Sequence, residues 1–173
     1  ATGIKEVSSI RLFDLDGDGV REIYIDGKDA NADTITCVAF YSPDESRPLH
    51  LALFDSQSYA HGSIKEFADS KLILDTEMNI LGTYKVKNVY ALADKSFSKA
   101  SDDIVFDNNT TYVTTSKSIT LSNGSLLATG TKLRFTSTDG SSVINFVTDG
   151  GFTGSIPIAS SGSGWTISGQ PDT

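Results

Sequence analysis

Within nine residues, Asp14-Leu15-Asp16-Gly17-Asp18-Gly19-Val20-Arg21-Glu22, four carboxylates stand at the first, third, fifth and ninth places. Like charges crowded into one loop repel and raise one another's pKa, so this spacing calls for a cation among them. Gly17 and Gly19 let the chain curl, and the Val20 carbonyl can point inward. Asp14, Asp16, Asp18, Val20 and Glu22 then supply the oxygen ligands that calcium prefers, with water completing the roughly six to eight it takes. Magnesium, which demands near-ideal octahedral geometry, suits such a loop less well.

Other chemistries have little to draw on. Hydrolysis needs a nucleophile, a base and a group that orients the base. The two histidines read as surface or turn residues, His50 in an alternating strand and His61 beside Gly62. Cys37 lies in Thr34-Ile35-Thr36-Cys37-Val38-Ala39-Phe40, where alternation makes it a small core residue, and a single cysteine allows no disulfide within the chain. Asp102 and Asp103 are adjacent, so on a strand they point to opposite faces and do not pair as glycosidase acid and base. Ser161-Gly162-Ser163-Gly164 lacks the strand and helix that a nucleophile elbow joins. The expectation is a protein that is not an enzyme.

The elements around the acidic loop alternate with period two. Ser9 to Phe13 and Glu22 to Ile25 read as strand, loop, strand. Asp33 to Tyr41 and Leu49 to Phe54 follow as a hairpin around the turn-like residues 42–48, and Asn79 to Val86 and Val89 to Ala93 continue the pattern. Gly62 to Asp69 reads as one short helix, with Ser63 as its cap and Glu66 at the capping-box position. The polar stretch Asp94 to Asn109 marks a boundary near Thr110. Beyond it Asn123-Gly124, Asp139-Gly140 and Asp149-Gly150 are hairpin-turn dipeptides between the strands Thr131 to Thr136, Val143 to Thr148 and Phe152 to Ile158. Ser160 to Gly164 reads as a flexible linker, after which Trp165-Thr166-Ile167 docks as an edge strand.

Lys and Arg total 14 against 22 Asp and Glu, and the resulting charge of −8 repels nucleic acid and anionic lipid headgroups. No run approaches the roughly 20 apolar residues of a membrane span, and Ala1-Thr2-Gly3 does not read as a signal peptide.

The segment Phe13 to Ile25 resembles the calcium-binding strand-loop-strand of FG-GAP and VCBS-type repeats, which are blades of antiparallel sheet. The resemblance implies ligands at Asp14, Asp16, Asp18 and Glu22 and at the Val20 carbonyl. An EF-hand or dockerin is disfavoured, because the twelfth position, where a bidentate glutamate belongs, is Ile25. Residues 111–158, through Ala128 to Gly140 and Asn145 to Ile156, look like a bacterial SH3-type barrel. That family commonly carries aromatics where Val143 and Ser155 stand here, which leaves its cell-wall or peptide-binding groove without them. The pair of domains resembles secreted proteins or lipoproteins of Gram-positive bacteria.

The expected molecule is all-β: a calcium-binding β-sheet domain at 1–110, an antiparallel meander or blade, then an SH3-like barrel with a flexible tail at 111–173. The expected role is that of a non-catalytic extracellular or cell-surface module that meets a surface protein or a polysaccharide. The competing expectation is a carbohydrate-binding module of a secreted polysaccharide-degrading system. For that reading the aromatic candidates are Tyr24, Tyr41, Tyr59, Tyr84, Tyr90, Tyr112 and Trp165.

Overall fold

Alternation of period two yields strands, and strands are what the chain forms: 62% of the described residues are in strands and none of them in helix, which makes the protein all-β with antiparallel sheets. The computed structural model describes residues 3–42, 46, 48–101, 103–107, 112–162 and 164–168. The proposed boundary at Thr110, the acid Asp102, Ser163 and most of the 42–48 turn lie outside the described residues. The chain forms two compact units, Ala1–Thr76 with Lys87–Ser101, and Glu77–Val86 with Asp102–Thr173. The tip of one hairpin, residues 77–86, thus belongs with the C-terminal strands, a grouping that a single linear boundary cannot express.

In the first unit, β1 (Glu6–Phe13), β2 (Glu22–Lys28), β3 (Thr34–Tyr41) and β4 (Leu49–Leu51) form an antiparallel sheet in chain order. The order continues with β5 (Leu53–Phe54), β6 (Ala60–His61), β7 (Ser63–Ala68), β8 (Lys71–Asn79), β9 (Thr83–Ala93) and β10 (Ser96–Lys99). Strand β6 adds to β3, while β7 pairs β8, β8 pairs β9, β9 pairs β10, and β10 meets β5 in parallel. Tyr24, Val38 and Phe40 from the first sheet share one buried core with Ile64, Leu72, Leu74, Tyr90 and Phe97 from the second layer. Cys37 is fully buried, as expected of a small core residue, and burial pushes its thiol up to about 11.

The helix expected over 62–69 is instead strand β7, paired with β8. A β-bulge between Ile64 and Glu66 explains the discrepancy. The extra residue puts Ile64 opposite Leu74 and Phe67 opposite Leu72, so two residues three apart face one core. That spacing imitates a helical stripe.

The second unit holds the ends of β8 and β9 and adds β11 (Ile104–Phe106), β12 (Val113–Thr114), β13 (Ile119–Thr120), β14 (Leu126–Leu127), β15 (Lys132–Thr138), β16 (Val143–Thr148), β17 (Thr153–Ser161) and β18 (Gly164–Ile167). The turn dipeptides separate β13 from β14, β15 from β16, and β16 from β17, as expected. The expected barrel does not close. One edge of β15 is shared by β11 and β12, the other takes β16, and the ladder runs on to β18 as an open sheet. Turn chemistry selects neighbouring strands but carries no information on closure. In the stretch expected as a linker, the described residues lie at the end of the β17–β18 hairpin, where Ser160 faces Trp165 and Ser161 faces Gly164. Trp165 and Ile167 pack against the core of this unit.

A buried carboxylate links three strands of the first sheet to β7. Asp26, only 4% exposed, accepts a hydrogen bond from the Thr36 hydroxyl at 2.6 Å, from the Ile64 N–H at 3.0 Å and from the Ser9 hydroxyl at 3.1 Å. Arg11 stands 3.8 Å away as its counter-charge. Asp26→Ala strips the acceptor from several buried donors at once and is expected to destabilise the protein by about 3 kcal/mol, with Asp26→Asn milder. Urea unfolding checks this: the midpoint falls while the slope stays constant. An unshifted Asp26→Ala midpoint contradicts the assignment.

Candidate metal centre

The acidic loop joins β1 to β2, and its ends are held by the last pair of that ladder, Phe13 opposite Glu22. Gly17 and Gly19 take φ of 77° and 87°, in the left-handed region where a side chain is strained. A Cβ on either would meet nothing within 4 Å, so the demand for glycine is conformational rather than spatial.

The carboxylates are held by the loop's own backbone. Asp14 accepts from the Gly17 N–H at 2.7 Å and from the Gly19 N–H at 3.0 Å, one on each oxygen. Asp16 accepts from the Asp18 N–H at 3.2 Å, and Asp18 from the Val20 N–H at 2.7 Å. Val20 is an exposed side chain whose backbone alone takes part in the loop's bonding. Asp14 is half-buried, Asp16 and Asp18 are exposed, and Glu22 is buried.

Glu22 is 2% exposed, and its Oε2 accepts from the Leu15 N–H at 2.9 Å and from the Tyr24 hydroxyl at 3.1 Å. Leu15 itself is a buried member of the first unit's core. Tyr24 is fully buried and lies edge-on to Phe67, which stacks on Phe13 at 4.3 Å. Neither Leu15 nor Tyr24 is singled out by residue type. The available signal is period two, which sets Tyr24 on the face of β2 that carries Glu22.

One ligand atom each from Asp14, Asp16, Asp18 and Glu22 lies within 4.8 Å of the others, a group that could hold a metal ion. Oxygens bound to one calcium at 2.3–2.6 Å stand at most about 5 Å apart, so the spread fits a single ion of that size. The set consists of oxygens only and contains no soft ligand, which suits a hard cation.

Comparison with models of known protein families, with curated proteins and with solved structures gives no match for this chain. The site is therefore read from its own geometry. The two histidines stand on separate strands of the first unit: His50 lies half-buried on β4, and His61 lies exposed on β6 with its ring against Tyr59. Among the described residues no helix is long and apolar enough to cross a membrane.

Burial pushes the Glu22 carboxyl above its ordinary 4.5, and the nearby charges of Asp16 and Asp14 add to this against the opposing bonds from Leu15 and Tyr24. Tyr24 is raised as well, by burial and then by the charge of Glu22. In the absence of a cation the folded protein keeps the Glu22 proton to a higher pH than the unfolded chain does. Stability from this group is thus complete below 4.5 and is lost as pH rises through the raised folded value. In chelator, the melting temperature of the wild type is expected to fall relative to that of Glu22→Gln as pH increases from about 4 to about 7. Parallel curves for the two proteins contradict a raised Glu22.

Proposed function

We propose that this chain is a non-catalytic calcium-binding β module that works outside the cell or at its surface in a structural or interaction role. The observation that carries the reading is the convergence of four carboxylates, one of them buried, within 4.8 Å. Such a group is self-repelling when ionised, and a divalent cation removes the conflict. Calcium fits better than magnesium because it accepts many carboxylate oxygens in irregular geometry, whereas magnesium retains much of its water. The resemblance of Phe13 to Ile25 to the calcium loops of FG-GAP and VCBS-type repeats points the same way, with the Val20 carbonyl as a fifth ligand. Three of the four carboxylates are partly or fully open to solvent, which fits the weak, extracellular class of calcium site, with dissociation constants on the order of 0.1–1 mM.

Calcium at about 100 times its dissociation constant is expected to stabilise the fold by roughly 2.7 kcal/mol if it binds only the native state. For a domain of this size that is several degrees of melting temperature. Asp16→Ala removes a ligand and should abolish the calcium-dependent shift. Asp149→Ala, at an exposed turn of the second unit, should leave it intact. Identical wild-type melting curves in calcium and in chelator would falsify this reading.

A further inference from the structure

Strand β1 carries its residues the wrong way round for a sheet that faces water. Ser9 and Arg11 point inward to Asp26, and Phe13 stacks inward on Phe67, while Ile10 and Leu12 on the opposite face are 63% and 58% exposed. A slip of one residue would exchange the two faces. The bonds to Asp26 hold the register that leaves the aliphatic residues outside.

The same outer face is apolar on β1 to β4, where Ile35, Cys37 and Ala39 of β3 are already buried, while β6 sets the polar His61 opposite Ile35. Cross-strand pairing sets Leu12 beside Ile23 in one row that ends at Leu51, Ile10 beside Ile25 in the next, and Tyr41 beside Leu49 at the far edge. Tyr41, Leu49 and Leu51 are 52%, 56% and 39% exposed, and Ile23 and Ile25 are half-buried. At roughly 200 Å² for a large side chain, the five most exposed residues leave on the order of 500 Å² of apolar surface. That is at the upper end of what a monomer ordinarily shows.

We infer that this face is the interface of a symmetric dimer, its occupant the same face of a second copy of this chain. Three features favour a second copy over a different partner. Two such faces together bury about 1,000 Å², the area at which a specific interface begins. Interfaces between identical chains are the more apolar class, whereas those of transient partners are no more apolar than ordinary surface. A molecule of charge −8 repels its own copies, and these rows carry no charged side chain, so this face brings two copies together with no opposed carboxylates across the contact. Two copies of one twisted sheet face can pack on each other about a two-fold axis, with the sheets stacking about 10 Å apart. The inference is independent of the calcium reading.

An interface of this size associates weakly, so the molar mass of the full chain should be measured by sedimentation equilibrium from about 1 to about 200 µM. The wild type is expected to pass from monomer to dimer in that range. Leu12→Glu and Leu49→Lys, on two different strands, should each weaken association at least tenfold while leaving the circular dichroism unchanged. Should one of them fail to fold, the other carries the test. Leu126→Lys, more exposed than either but in the second unit, should dimerise like the wild type. A wild type that is monomeric throughout, whether or not it captures another protein, overturns the inference, as does dimerisation that survives both sheet substitutions or is lost with Leu126→Lys.

Discussion

The Glu22 carboxylate is buried at the start of β2, beside three other carboxylates, and the local structure follows from satisfying it. An ionised group removed from water needs compensating hydrogen bonds. Here one oxygen takes two, from the Leu15 N–H and the Tyr24 hydroxyl. The Leu15 N–H can reach Glu22 because the Leu15 side chain is inserted in the core, which folds the loop back over the strand that follows. Asp14 and Asp16, on either side of Leu15, are thereby positioned by a hydrophobic contact. The carboxylate cluster is a consequence of core packing as much as of loop chemistry.

A second buried acid does comparable work within the sheet. Asp26 bonds to residues of β1, β3 and β7, and the price of that arrangement is an aliphatic face turned outward on β1. On β1 alone, Ser9 and Arg11 inside with Ile10 and Leu12 outside reverse the usual pattern of an exposed sheet, in which the buried face is the hydrophobic one. The reversal is stable because the inward polar groups are paired with one another.

The strand-loop-strand at 9–25 and the three C-terminal strands between turn dipeptides were legible because alternation and turn chemistry are local signals. The misreadings have equally local causes. At β7 a bulge gave Ile64 and Phe67 a spacing that period-two reasoning rejects and period-3.6 reasoning accepts. The glycine- and serine-rich 160–164 resembled a linker, yet Gly164, at φ 130°, is the residue that lets the chain reverse into β18. Non-local facts left no trace in the sequence: that β15 divides one edge between β11 and β12, and that residues 77–86 join the second unit. Alternation predicts which side chains share a face but not which strand lies across from them.

The position of the loop also determines what a cation could do for the fold. Phe13 and Glu22 are the final pair of the β1–β2 ladder, so repulsion among the loop carboxylates acts on the end of that ladder and weakens with distance from it. Strand β1 is an edge strand whose sheet partner is β2, so it depends on that ladder more than any inner strand does. Toward its middle it is held by Ser9 and Arg11 on Asp26, and at the loop end by the stack of Phe13 on Phe67. A cation neutralising the loop therefore acts at the end of β1 that lies farther from Asp26. On the calcium reading, the ion and the buried aspartate secure the same strand at two separate points, and loss of either leaves the other in place.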